Sequence, residues 1–405
     1  MAHEWSLPSS RVPRDASPNA WTLALDRRRA HHAARGGGSG GALIDLAEQN
    51  PTRLGLGALD DDARVAIAAA LDAPYEPDAR GLSVAREAIA AYYAARDLTV
   101  DPGDLVLASG TSEAFTHVLR LLCEPGDQIL TLAPSYPLFA PLAALEAVET
   151  ASVPLVLDGR WQLDLDAFER AATARTRAIV VVQPNHPTGS WLAAGERAAL
   201  EARCAARGIA IVSDEVFGDF TRAPGDAPER EPSLLAEPRA VPVFVLHGLS
   251  KLCGMPQLKL SWIALAGPAD LRARARAGLE WIADAFLSVG TPVQRALPRL
   301  LEARHAFRRR VLERTQANRD ALVRALNTSD AEALPAEGGW VGVVRLPERV
   351  SAEALAVRLI DRDVIVHPGH FYDFDDDRHL VVSLLPQTDA FARGAERIAE
   401  AVAEP

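Results

Sequence analysis

Short apolar runs, each closed by a polar turn, constrain this chain more than any other feature. Leu105-Val106-Leu107-Ala108, Gln128 to Leu132, Ala178 to Val182, Ile209 to Val212, Val243 to Leu246 and Leu260 to Ala266 are rich in Val, Ile and Leu. Stretches with helical spacing separate several of them, as in Gly81 to Ala95, where Leu82, Ala85, Ile89 and Tyr92 or Tyr93 share one face. This alternation predicts an α/β fold with a mostly parallel central sheet and helices on both faces. In open sheets of that kind a ligand lies beyond the carboxyl ends of the strands. Five polar turns fall at that edge: Ser109-Gly110-Thr111-Ser112, Pro134-Ser135-Tyr136-Pro137, Pro184 to Gly189, Ser213-Asp214-Glu215 and Gly248-Leu249-Ser250-Lys251.

The rest of the chain frames this region. Leu23 to Ala34 reads as a charged helix, and the glycine run Gly36 to Gly41 after it reads as a flexible connector rather than a phosphate loop. Leu43 to Leu46 predicts a short strand, and Gly55 to Ala73 a helix with its entry loop. Leu271 to about Leu326 is mostly helical, broken at Gly290-Thr291-Pro292, and its arginine-rich run 303–319 reads as a solvated helix face. Trp340 to Arg345, Val364 to Val366 and His379 to Leu385 predict strands, Ala352 to Asp361 a helix, and Asp389 to Ala403 a closing helix capped by Thr388. The expected division is a large domain over 56–295 and a smaller α+β domain built from 1–55 and 296–405.

A net charge of -11 argues against nucleic acid or an anionic membrane as a partner. Cys123, Cys204 and Cys253 form no CxxC and read as reduced thiols, with Cys253 a buried filler near Lys251. Residues 1–14 hold no apolar run, so no signal peptide is expected, and a cytoplasmic location is.

The turns carry the chemistry. A lysine at the mouth of a buried strand, Lys251, becomes a neutral amine nucleophile if its site is dry. Asp214 ends another buried strand and needs a partner, which a protonated pyridine nitrogen would supply. Ser109 to Ser112 opens a helix with free N–H groups for an anion, and Lys259 adds a cation. Asn185 can bond a ligand oxygen, and Tyr136 can stack on a ring. A lysine amine, a carboxylate, an amide, an aromatic plate and a phosphate cradle together match what pyridoxal phosphate requires.

In their order and spacing these residues resemble the class I/II aminotransferases of pyridoxal-phosphate fold type I, from about Leu46 to the C-terminus. The motifs that carry the resemblance are Asn50-Pro51-Thr52, Gly81-Leu82 with Arg86 to Ile89, Ser109 to Ala114, Pro134 to Pro137, Asn185 to Gly189, Asp214 to Phe217 and Ser250 to Pro256. The resemblance implies that Lys251 forms the Schiff base and shuttles the proton. It implies that Asp214 pairs with the ring nitrogen, Asn185 with the ring hydroxyl, and that Tyr136 stacks. Gly110, Thr111, Ser112 and Lys259 would hold the phosphate. Tyr75 would reach the phosphate of a second subunit, which implies a homodimer with shared sites.

Departures from the family pattern bear on function. Phe217 stands where the family carries a tyrosine that bonds the ring oxygen, and His186 is the expected substitute donor. Gly248 replaces a serine, and Lys259 an arginine, so a point charge replaces a fork. Val381 occupies the place of the arginine that anchors a substrate carboxylate. Arg53, Arg345 or Arg378 would then supply the anchor, or the substrate lacks that carboxylate. The implied activity is transfer of an amino group between an amino acid or amine and a 2-oxo acid, within amino acid metabolism. A lyase, decarboxylase or racemase on the same scaffold is the alternative. No GxGxxG follows any strand, which argues against a nicotinamide oxidoreductase, and no basic helix-turn-helix stretch supports a DNA-binding regulator.

Overall fold

The computed structural model describes residues 9, 11–13, 17–34, 43–57, 59–221, 233–236 and 239–404. Its centre is an eight-stranded sheet. In spatial order the strands are Leu105–Ala108, Ser261–Ala266, Val243–Gly248, Ala210–Asp214, Thr176–Val182, Gln128–Ala133, Glu149–Asp158 and Arg160–Leu163. Ser261–Ala266 and the edge strand Arg160–Leu163 run antiparallel to their neighbours, and the other six run parallel to one another.

The side-chain period of two explains the double cover. Leu105, Leu130, Ile179, Val181, Ile211 and Val245 enter one apolar core, while Val106, Ile129, Val180, Val212 and Phe244 enter another on the opposite face. A strand with both faces dry must read as a continuous apolar run, as these do. Helix Ser83–Ala94 packs on the first face through Ala85, Ile89, Tyr92 and Tyr93. Helix Thr111–Leu122 packs on the second through Ala114, Phe115, Val118 and Leu119.

A second, antiparallel sheet joins Glu332–Ala333, Val341–Arg345, His379–Ser383 and His367–Pro368. It has its own core, in which Leu355, Leu359, Val382 and Leu384 meet Phe391 and Ile398 of the final helix. Ile44–Asp45 pairs in parallel with Val364–Ile365, which ties the segment near the N-terminus to this part of the chain. Helix Ala20–Ala34 lies against it, with Arg28 Nε donating to Asp363 Oδ1 at 2.8 Å.

Several sequence expectations change. The hairpin of Glu149–Asp158 and Arg160–Leu163 has no counterpart in the sequence reading; Pro154 interrupts its apolar alternation, and Gly159 turns it at φ +65°. The helix expected over 55–73 is confined to Asp61–Ala69, opened by the Asp60 carboxylate accepting from Ala63 N at 2.8 Å. Thr388 is the first residue of its helix rather than the cap, and Gln387 precedes it with no side-chain bond. The arginine run is not simply solvated. Along helix Arg304–Leu326, Arg308, Arg310, Arg314 and Arg319 donate to the carbonyls of Asp219, Leu56, Leu385 and Leu334, pinning the helix to four other segments. The Gly36–Gly41 connector lies outside the described residues. Among the described residues no helix is long and apolar enough to cross a membrane.

Candidate active site

A cavity of about 510 Å³ opens at the carboxyl edge of the central sheet. Thr111, Ser112, Tyr136, Val182, Asp214, Gly248, Ser250 and Lys251 line it from the sheet side, and Gln49, Asn50, His367 and Tyr372 from the second sheet and the segment paired with it. Each sheet-side residue ends or follows a strand, because the chain must turn there and a turn leaves polar groups free. Gly248 is required at its turn: a Cβ there would lie 2.8 Å from that of Ser261 on the neighbouring strand.

Lys251 projects from the short helix Leu249–Leu252 into an aromatic corner. Its Nζ lies 5.1 Å from the ring centre of Trp340 and 5.4 Å from that of Phe217. Burial pushes its ammonium pKa down, opposed by the charge of Asp214. Asp214 shows the converse: burial raises its carboxyl to about 6, with the Val216 N–H, 3.1 Å from Oδ1, pulling the other way. An amine and a carboxylate, each half-buried on one cavity, are poised for a ligand that carries a carbonyl and an N–H cation.

The aromatic wall continues through His186, whose ring stacks on Phe217 at 5.4 Å and meets Tyr136 and Tyr372 edge-on. Burial, with Lys251 beside it, lowers the His186 pKa to about 3, so the ring is neutral. His367 is likewise held down to about 4 by burial. Tyr372 Oη lies 2.9 Å from His367 Nδ1 and accepts from Gln49 Nε2 at 3.0 Å. Glu48, also on the wall, accepts from Asn50 N at 2.8 Å and from Arg53 at 3.2 Å.

Of the sequence-derived candidates, Lys251, Asp214, Thr111, Ser112, Tyr136 and Phe217 meet on this cavity. Asn185 lies behind the wall. Its amide protons go to Pro134 O at 3.1 Å and Thr188 Oγ1 at 2.9 Å, and its Oδ1 is buried without a partner. Gly110 and Lys259 stand together at the N-terminus of helix Thr111–Leu122. A Cβ on Gly110 would sit 2.9 Å from Lys259 Nζ. Tyr75 is 72% exposed and lines a separate surface depression with Leu287 and Ser288.

The three arginines considered as carboxylate anchors stand elsewhere. Arg345 pairs with Glu332 on the adjoining strand, Arg378 with Asp376 at 3.2 Å and Glu348 at 3.6 Å, and neither lines the cavity. Arg53 is 75% exposed and reaches only Glu48. Val381 is buried in its sheet with Val343 and His367 as cross-strand partners. Gln49, Glu48, His367, Tyr372 and Ser250 are the wall residues that the sequence reading left unassigned. The His-Pro-Gly turn at 367–369 was the available signal.

The residues present fit pyridoxal phosphate. The helix N-terminus at Thr111 has no capping side chain and a cation beside it, which is an anion cradle. Asp214 is a half-buried carboxylate whose raised pKa a ring N–H would lower, keeping it ionised. Comparison with known proteins agrees. The family model for aminotransferase class I and II matches residues 53–396. A probable N-succinyldiaminopimelate aminotransferase of Mycobacterium tuberculosis is 31% identical over 253 residues, 62% of this chain and 62% of that protein. Human tyrosine aminotransferase is 30% identical over 264 residues, 64% of this chain and 57% of that protein. The matched segment thus spans less than two thirds of each relative. Among solved structures, alanine aminotransferase from Pyrococcus furiosus superposes with a TM-score of 0.81 at 21% identity, covering 95% of this chain and all of that one. The N-succinyldiaminopimelate aminotransferase structure from M. tuberculosis gives 0.74 at 23% identity, with the same coverage of both chains. These structures share the fold, and the family match settles the rest: the chain belongs to the class I and II aminotransferases, a pyridoxal-phosphate-dependent family.

Proposed function

We propose that the protein is a transaminase that moves an amino group from an amino donor to an oxo acceptor. The observation that carries this reading is the partly desolvated Lys251 amine sharing one cavity with the partly desolvated Asp214 carboxylate. Lys251 would hold the cofactor covalently, and Thr111, Ser112 and Lys259 would hold its phosphate. Asp214 would sit on its ring nitrogen, and Tyr136 on its face. His186, neutral and against Phe217, would donate to the ring oxygen in place of the absent tyrosine. When bound, pyridoxal phosphate supplies the electron sink that lets the bond next to the amine ionise. The Lys251 amine, once released, takes the proton from the amine-bearing carbon and returns it elsewhere.

The active form we propose is a homodimer. Tyr75, Trp281, Phe286 and Leu287 are large side chains left exposed, and Tyr75 and Leu287 line one surface depression, as a partner surface would require.

The test is an absorbance spectrum of the purified protein with added pyridoxal phosphate, followed by borohydride and peptide mapping. A visible band, trapped on Lys251 and bleached by an amino donor only to return with an oxo acceptor, is the expected result. No band, or a label on another lysine, refutes the assignment. Carbonyl product formed without an acceptor would indicate elimination rather than transfer.

A further inference from the structure

The cavity discriminates by charge in a way the general transaminase reading does not specify. Among the described residues on its wall, Lys251 is the only cationic side chain, and it is committed to the cofactor. Both wall histidines, His186 and His367, are neutral at any physiological pH. On the second sheet's side of the same cavity stand Gln49, Tyr372 and His367, joined through the Tyr372 hydroxyl. That group can exchange hydrogen bonds but carries no charge. Beside it, Glu48 adds a carboxylate, paired with Arg53 at 3.2 Å. Asp214 adds another deeper in.

A carboxylate brought here would lose its hydration and, among the described wall residues of this chain, meet no cation that is not already committed, since Arg53 stands off the wall on Glu48. An uncharged substituent would pack against Tyr136, Phe217 and Tyr372.

We propose that the donor is a primary amine whose amine-bearing carbon carries no carboxylate, and that the acceptor is an aldehyde or ketone with no adjacent carboxylate. This rests on the transaminase reading. In the first half-reaction the donor C–N bond breaks and a C=O forms with oxygen from water. The amine-bearing carbon loses two electrons, and nitrogen and electrons stay with the loaded protein. In the second, the acceptor C=O breaks, its oxygen leaves as water, and the acceptor carbon takes the nitrogen and both electrons. Lys251 moves the proton in each direction.

The experiment uses matched pairs differing only in the carboxylate: 2-phenylethylamine against phenylalanine, and 1,5-diaminopentane against lysine. Bleaching of the cofactor band is followed in single-turnover mode. The expected result is a second-order rate for at least one amine on the order of 100-fold or more above its carboxylated counterpart. Equal or faster bleaching by the amino acids, or no bleaching by either amine, overturns the inference while the band itself upholds the transaminase reading. A second measurement needs no turnover. Calorimetry of the chain loaded with pyridoxal phosphate, in which Lys251 and the phosphate cradle are occupied, should show no saturable binding of 3-phenylpropanoate, and saturation below about 1 mM overturns the inference by itself.

Discussion

Replacing Asp214 by asparagine separates the cost of the site from its use. Burial raises the carboxyl from its ordinary 3.8 to about 6, a shift of about two units, or ~3 kcal/mol. The sign follows from proton linkage. The folded chain binds this proton more tightly than the unfolded one, so the destabilisation is absent below about pH 3.8. It grows as pH rises, and is complete above about 6. The substituted amide keeps an oxygen for the Val216 N–H and never ionises. The cofactor-free Asp214→Asn chain should therefore be more stable than the parent by up to ~3 kcal/mol at pH 8, shrinking to roughly 0.5 kcal/mol at pH 4. Lys251 does not cancel the effect, because the same burial holds its amine down. The assay is urea unfolding of both chains by tryptophan fluorescence at the two pH values. Adding pyridoxal phosphate should stabilise the parent and leave the variant nearly unmoved. A difference independent of pH, or a variant less stable at pH 8, would refute the account of Asp214 as a desolvated partner for a ring cation.

Three further outcomes follow from the same contacts. Lys259→Met removes the cation beside Gly110 and should raise the dissociation constant for pyridoxal phosphate by about 10- to 100-fold, read by titration of the absorbance band. Trp340→Ala empties a fully buried site between Phe217, Phe220 and Phe307, and should cost about 3–5 kcal/mol in unfolding free energy. Asp219→Ala strips the carboxylate from Arg96 and Tyr92 beside the strand that leads to Lys251. That leaves a half-buried guanidinium and the buried Tyr92 hydroxyl without it, so the midpoint of urea unfolding should fall by the equivalent of about 3 kcal/mol, the low end for a buried pair.

The central strands were legible because a strand buried on both faces admits no polar side chain, and Leu105–Ala108 agrees with its reading residue for residue. Helix Ala352–Asp361 agrees equally, since one apolar stripe serves one core. The 149–163 hairpin was not legible, because Glu149, Thr150, Ser152 and Val156 face solvent and Pro154 reads as a break. Lys251 and Asp214 stood out by interrupting apolar strands. Gln49, His367 and Tyr372 had no such contrast. Gln49 and Tyr372 are 323 positions apart and meet only once the second sheet is folded. The arginines misled for a related reason: a guanidinium on a long stem reaches backbone carbonyls on distant segments, which no local pattern encodes.

That neutral wall is held from behind by the first helix, which gives it a separable role. Trp21 Nε1 donates to Val366 O at 2.8 Å, and its indole meets His367 and Phe371 edge-on, each at 5.4 Å. Trp21 touches neither Lys251 nor Asp214. Trp21→Ala removes one hydrogen bond and two ring contacts, about 1–3 kcal/mol of restraint on the 366–372 segment. If His367 and Tyr372 contact the substrate, the loosened wall should raise KM for the amino donor by roughly 10-fold, since only part of that restraint bears on binding. The pyridoxal phosphate titration and the rate of the Lys251 proton step should change little, because their residues hang from the central sheet. Hydrogen exchange over 364–372 should quicken in parallel with the KM change. A variant whose kcat falls at unchanged KM would place the helix in the chemistry rather than behind the substrate wall, and would break this division between the two sheets.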